Sequence, residues 1–333
     1  MKIAKTLGAA LIAAVLASPA FAQMELKFGH VGEPGSLFAL SAEEFARSAN
    51  EKLGDKAKVV VFRSSQLGSD EELMQKLRLG TADLALPSSV MSSVVPEFGL
   101  FEMPYLVKDR EHMKKIEEAV VWPTLAPAAE AQGYKLLGVW ENGFRHITNN
   151  ERPIVTPTDL EGIKLRTPSG EWRVKMFQAY GANPTPMSFS EVFTALQTGV
   201  VDGQENPLTQ IASAKLQEVQ DFLSMTGHVY TPAYVLAGKN RWDSLPEDVR
   251  QILEETAKET QAFVYENAAR LEEELLAQLQ AESDIKVNEA DKDAFIAASD
   301  SIYKEFGEQI EGGQAMVDKA IELGKAVSLG GGS

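Results

Sequence analysis

Pro184-Thr-Pro-Met-Ser-Phe-Ser-Glu-Val-Phe-Thr-Ala-Leu-Gln-Thr-Gly-Val-Val-Asp-Gly-Gln-Glu-Asn-Pro207, with Gly162-Ile-Lys-Leu-Arg-Thr-Pro168 upstream, carries the strongest structural signal in the chain. It describes a short strand ending on Arg166, a helix over Ser190–Thr198, and a strand over Val200–Gln204 that stops in a polar cluster at Asn206. Ser188 followed three residues later by Glu191 reads as a capping box. Ligands of open parallel sheets sit beyond the carboxyl ends of strands, so an arginine and a carboxamide converge on one crevice. This equipment suits a small anion, and it contains no obvious nucleophile.

Working outward, strand and helix signals alternate. Met24–Gly29 and Lys58–Phe62 read as strands, with a helix between them carrying Phe38, Ala42, Phe45, Ala46, Ala49 and Leu53 at helical spacing and stopping at Gly54. Asp70 is placed to cap a helix through Leu79 that ends at Gly80, and Ala82–Leu86 follows as a strand. Phe144–Thr148 and Ile163–Arg166 read as strands and Glu171–Tyr180 as a helix. The order predicts a mainly parallel sheet covered by helices. From Pro246 to about Ala281 runs a single helical pattern whose stripe is Leu253, Ala257, Thr260, Val264, Ala268, Leu271, Leu275 and Leu279. It fits either a coiled-coil partner or a helix laid across two domains, and its departure from strict heptads favours the second.

Lys2 and Lys5, the apolar run Leu7–Ala17 and Ala20-Phe21-Ala22 form a signal-peptide pattern over residues 1–22, with cleavage expected after Ala22 and export to the periplasm. The 333 residues less these 22 leave 311, beyond the size at which single cores tend to divide. There are no cysteines, which excludes disulfides and thiolate chemistry. The 32 basic residues less Lys2 and Lys5 face 48 acidic ones, a net charge of about −18 that disfavours nucleic acid as a partner. Four scattered histidines give no metal-ligand spacing, so neither metal nor cofactor is expected. No Gly-x-Ser-x-Gly elbow is present, and enzymatic activity is not expected. Gly330–Ser333 reads as a tail.

Ser64-Ser65-Gln66-Leu67-Gly68, Gly162–Pro168, Pro186–Phe193 and Val201–Pro207 together resemble the substrate-binding proteins of tripartite ATP-independent periplasmic (TRAP) transporters, the DctP family. The resemblance covers essentially the whole mature chain. It implies a two-domain α/β periplasmic-binding-protein fold with a hinge and a long domain-spanning helix. Domain I would comprise 23–143 plus 232–271, and domain II 144–231 plus 272–333. It also implies a monomer that takes a small organic acid, such as a hydroxy or sugar acid, and delivers it to a small and a large TRAP membrane subunit. A module feeding a signalling receptor would carry the same site.

By the same resemblance Arg166 matches the arginine that pairs with the ligand carboxylate, for which a guanidinium supplies two parallel donors. Arg145 matches a second arginine near the carboxylate, with a structural ion pair as its alternative. Asn206 matches a ligand carboxamide, with Glu205 and Gln204 orienting it and Arg166 from behind. Phe189 matches an aromatic lining the cleft, or else packs in the core. Trp172 either covers the ligand or staples its helix, and Tyr234 is placed to offer a hydroxyl. Ligand identity is expected from the first domain, at His30, Glu33 and Ser88. Sialic-acid-binding members carry asparagine, glutamate and arginine where this chain has Val31, Ser88 and Met91, so sialic acid is not expected.

Overall fold

The computed structural model describes residues 23–328. The signal-peptide reading and the Gly330–Ser333 tail lie outside the described residues. Two sheets organise the chain. The first comprises β1 (Met24–Gly29), β2 (Ala57–Phe62), β3 (Leu84–Ala85), β4 (Tyr134–Phe144) and β10 (Tyr230–Gly238), in the order β2-β1-β3-β10-β4. The second comprises β5 (His146–Asn149), β6 (Lys164–Thr167), β7 (Asn183–Pro186), β8 (Gly203–Asn206), β9 (Phe222–Met225) and β11 (Lys286–Glu289), in the order β11-β9-β5-β8-β6-β7.

Both sheets are mainly parallel, as expected, with one strand reversed in each. β1 pairs in parallel with β2 and β3, but β10 lies antiparallel between β3 and β4. In the second sheet β6 is parallel to β7 and β8, while β5 is antiparallel to β8 and β9. The physical reason is the ribbon made by β4 and β10, which join the sheets in opposite directions. Only Arg145 separates β4 from β5, so one extended segment passes from the first sheet into the second. Near the crossing the ribbon register slips between Thr231 and Pro232, and Gly143 takes φ +126°, a conformation L side chains rarely adopt.

Three apolar cores hold these layers. Helix α1 (Leu37–Leu53) is capped by the Ser36 hydroxyl, which accepts from the Ala39 N–H at 3.2 Å. It buries Phe45 and its neighbours against Phe28 and Trp140 of the first sheet. A second core runs from Leu73, Phe98 and Tyr234 to Trp172, Phe177 and Phe306, continuous beneath both sheets. The third gathers Val192, Leu196, Ile211 and Leu223 on the outer face of the second sheet. Fully burying one such side chain is worth about 1.5–3 kcal/mol.

Helix α2 (Asp70–Leu79) ends against the end of β10. A Cβ on Gly238 would stand 1.9 Å from the Leu77 carbonyl oxygen, so only glycine fits there. After α3 (Glu171–Ala179) comes the long helix α4 (Glu247–Glu282). Its stripe from Leu253 to Leu271 lies in the first-sheet core, and Leu279 lies in the third core, under the second sheet. Its apolar face is therefore covered by this chain's own two lobes, and the coiled-coil alternative has no free seam to use. No helix among the described residues is long and apolar enough to cross a membrane.

Two local readings are corrected. The capping box lies at Ser69 and Glu72, so Ser69, not Asp70, caps α2. Ser188 makes no side-chain cap, because the chain enters a 3₁₀ turn over Phe189–Glu191 before the helix Val192–Gln197.

Candidate functional site

Between the lobes lies a narrow cleft, partly open to solvent. β6 and β8 are parallel and both end at it, with Arg166 and Gln204 in register. From the second lobe come Arg166, Pro168, Ser169, Ser188, Phe189 and Gln210, and from the crossing Asn142 and Arg145. The first lobe supplies Val31, Phe38, Asp70, Glu71, Ser88, Ser89 and Val90.

Arg166 is the feature that sets the chemistry of this cavity. It is 3% exposed, and its Nε and Nη2 donate to the Met187 carbonyl at 2.9 and 2.6 Å. Of the five N–H bonds of a guanidinium that leaves three, including both on Nη1. Among the described residues no carboxylate lies within 4.0 Å of it. Burial, with the positive charge of Arg145 nearby, lowers its pKa to about 10, and Glu205, Asp70 and Glu71 offset this only in part. The Phe189 ring covers it, 6.0 Å from Cζ, within cation–π range.

The other two buried arginines are balanced. Glu205 on β8, fully buried, accepts from Arg145 Nε at 2.6 Å and Nη2 at 2.9 Å, and from Arg173 Nη1 at 2.8 Å. Arg173 also pairs with Glu102 at 2.7 Å. Burial alone would push the Glu205 carboxyl up, but the two guanidiniums and the His228 hydrogen bond outweigh it and hold the group well below the usual range. Burial lowers His228 to about 4 despite Glu205 beside it, so its ring is neutral at pH 7. Its Nε2–H then donates to Glu205 at 2.9 Å, and Nδ1 accepts from the Thr226 hydroxyl at 2.8 Å. Two guanidiniums thus face two carboxylates, and Arg166 is the cation left over.

On the opposite wall stand Asp70 and Glu71, in the first turn of α2. Because Ser69 and Glu72 form the cap, Asp70 is released from it, and its Oδ1 is sealed from solvent with no hydrogen-bond partner. Burial and the adjacent Glu71 raise the Asp70 carboxyl to about 7, against the pull of Arg166. Glu71 Oε1 accepts from the Ser169 hydroxyl across the cleft at 2.5 Å. A carboxyl raised on folding costs stability as pH climbs from its unfolded value of 3.8 through about 7, with the full cost above that. Asp70→Asn should therefore raise the melting temperature of the ligand-free protein at pH 8, and by clearly less at pH 5. An equal difference at both pH values would contradict this electrostatic picture.

The residues nominated from sequence divide into two groups. Arg166, Arg145, Phe189 and Ser88 line the cavity. Arg145 does so while ion-paired to Glu205, so the two alternatives raised for it coexist. Asn206 lies just behind the wall; its Oδ1 accepts from Arg145 at 3.1 Å and its Nδ2 donates to Gln204 at 2.6 Å. Gln204 in turn donates to Thr148 at 2.9 Å.

The others stand apart from the cavity wall. His30 is buried against Phe38, accepting from the Gly32 N–H at 3.1 Å. Glu33 accepts from Ser64 at 2.7 Å and lines a neighbouring surface groove with the other side of Phe189. Trp172 is fully buried, edge-on to Phe306 at 5.3 Å, and staples its helix. Tyr234 packs on Phe98 at 4.9 Å, behind Ser88. Sequence reasoning missed Asp70, Glu71, Asn142 and Gln210. The available signal for Asp70 was Ser69-x-x-Glu72, a better capping box than one starting at Asp70. Among the described residues no group of three or more His, Cys, Asp or Glu is placed to hold a metal ion.

The model of the bacterial extracellular solute-binding protein family 7 (DctP) matches residues 28–309. The chain belongs to this family. It is 32% identical to the 2,3-diketo-L-gulonate-binding periplasmic protein YiaO of Escherichia coli K12, over 85% of this chain and 86% of that one. A sugar-acid-binding DctP protein of Advenella mimigardefordensis, solved with galactonate, superposes with a TM-score of 0.87 at 32% identity, covering 91% of this chain and 98% of that one. A TRAP solute-binding protein of Sulfurospirillum deleyianum with bound succinate gives 0.85 at 34% identity, covering 90% and 99%. Other solved relatives include TRAP periplasmic solute-binding proteins with a small organic acid bound.

Proposed function

We propose that this protein captures a small organic-acid anion between its lobes through an Arg166–carboxylate salt bridge, and hands it to TRAP membrane subunits in the periplasm. The observation that carries the reading is a buried guanidinium without a carboxylate partner. Burying an uncompensated charge is costly, and a ligand carboxylate at the free Nη1 and Nη2 edge of Arg166 relieves that cost with charge-assisted hydrogen bonds. Arg145 adds a donor from the crossing segment, held in place by Glu205 and Asn206. Phe189 shields the ion pair from water, which strengthens it. The lobes 23–143 plus 232–271 and 144–231 plus 272–333 close by bending at the β4–β10 ribbon, so that affinity depends on both walls. The role is binding without turnover, by a monomer. The galactonate and diketogulonate of the relatives point to hydroxy or sugar acids.

A thermal-shift screen of organic acids on residues 23–333 tests this. At 1,000 times Kd a ligand stabilises by about 4 kcal/mol, a readily visible rise in melting temperature. At least one small carboxylate should produce it, and the rise should vanish in Arg166→Ala. A screen with no responding acid, or an equal response in the variant, would contradict the proposal.

A further inference from the structure

The polarity of the cavity wall is fixed by a directed chain of hydrogen bonds. Ser88 Oγ donates its only proton to the Pro232 carbonyl at 2.6 Å, so it accepts from any other neighbour. Asn142 must therefore turn its Nδ2 towards Ser88, at 3.3 Å, and its Oδ1 towards Gln210. Gln210 answers with Nε2, at 3.5 Å. Its Oε1 is left buried with no donor, as is Oδ1 of Asp70. Ser169 has likewise given its proton to Glu71. Among the described residues lining the cavity, the side-chain atoms buried without a partner are these two acceptors, and the charge opposite Arg166 is negative.

We propose that the cavity takes monocarboxylates bearing at least two hydroxyl groups and turns dicarboxylates away, with Asp70 and Gln210 as the residues that make the selection. This rests on the reading of Arg166 as the carboxylate anchor. One uncompensated cation accommodates one carboxylate, since Arg145 and Arg173 are already balanced by Glu205 and Glu102. A second carboxylate would meet Asp70 and Glu71 and bring no proton to Oδ1 of Asp70 or Oε1 of Gln210. Hydroxyl groups donate to both. A buried polar group left unpaired is what makes a site reject an analogue lacking the hydroxyl.

The test is calorimetric titration with three series of four to six carbons: aldonates of the common configurations, the corresponding aldarates, and unsubstituted acids such as hexanoate. Wild type should bind its best aldonate at least about 100-fold tighter than any aldarate or unsubstituted acid. Asp70→Asn should narrow the aldonate-to-aldarate ratio at least tenfold. Gln210→Leu should weaken the aldonate at least tenfold more than it weakens hexanoate, a comparison that any general loss of fold would not produce. An aldarate or an unsubstituted acid binding wild type as tightly as the best aldonate overturns the selection. If that binding is still lost in Arg166→Ala, the anchor reading stands alone. If no member binds, or binding survives Arg166→Ala, the anchor reading falls with the selection.

Discussion

Arg166→Ala should weaken organic-acid binding by about 100- to 4,000-fold. The ligand carboxylate would still be drawn from water, but would face a wall whose remaining guanidiniums are engaged with Glu205 and Glu102. Leaving one member of a buried ion pair without its partner costs about 3–5 kcal/mol, and each 1.4 kcal/mol is tenfold in affinity. The ligand-free variant should fold normally, because Arg166 makes no ion pair and donates only to the Met187 carbonyl. Arg166→Lys should also bind poorly, since an ammonium lacks the planar fork. Calorimetry showing less than a threefold loss for alanine would remove Arg166 from its role.

Glu205→Gln should act on stability instead. Its two oxygens accept from Arg145, Arg173 and His228, all buried, and the substitution removes the charge while preserving the shape. Two buried guanidiniums would then share Glu102 alone. Breaking such a network costs about 3–5 kcal/mol, which for a chain of this size lowers the melting temperature by about 10 °C. Scanning calorimetry of the ligand-free protein reads this directly. A melting temperature within 2 °C of wild type, on the same scale of about 2–4 °C per kcal/mol, would mean that the network does not hold the lobe together.

The parts of the fold set by local periodicity were legible. The stripe of α4, the amphipathic face of α1 and the strand ending on Arg166 each follow from side chains within a few residues of one another. The β4–β10 ribbon was not. Gly138, Glu141, Asn142 and Gly143 break the strand pattern of β4, and its partner lies about 90 residues downstream. The site divides in the same way. Arg166 could be read from a strand end and its flanking motif. Whether Arg145 is bound to ligand or to Glu205 depends on a contact 60 residues away. His30 was nominated by its place after a strand, Trp172 at the start of a helix and Tyr234 where the chain should return to the first domain, but which side of the backbone they occupy is decided by packing on Phe38, Phe306 and Phe98. For Asp70 the difficulty was a single residue: assigning it as the cap hid the carboxylate that Ser69 leaves facing the cavity.

The most direct test is a crystal structure of residues 23–333 with the tightest-binding acid found by screening. The ligand carboxylate should lie against the outer edge of Arg166, its oxygens about 2.7–3.2 Å from Nη1 and Nη2, with ligand hydroxyls within the same reach of Asp70 and Gln210. A carboxylate anchored on another cation, with Arg166 paired to a carboxylate of the protein itself, would contradict this arrangement.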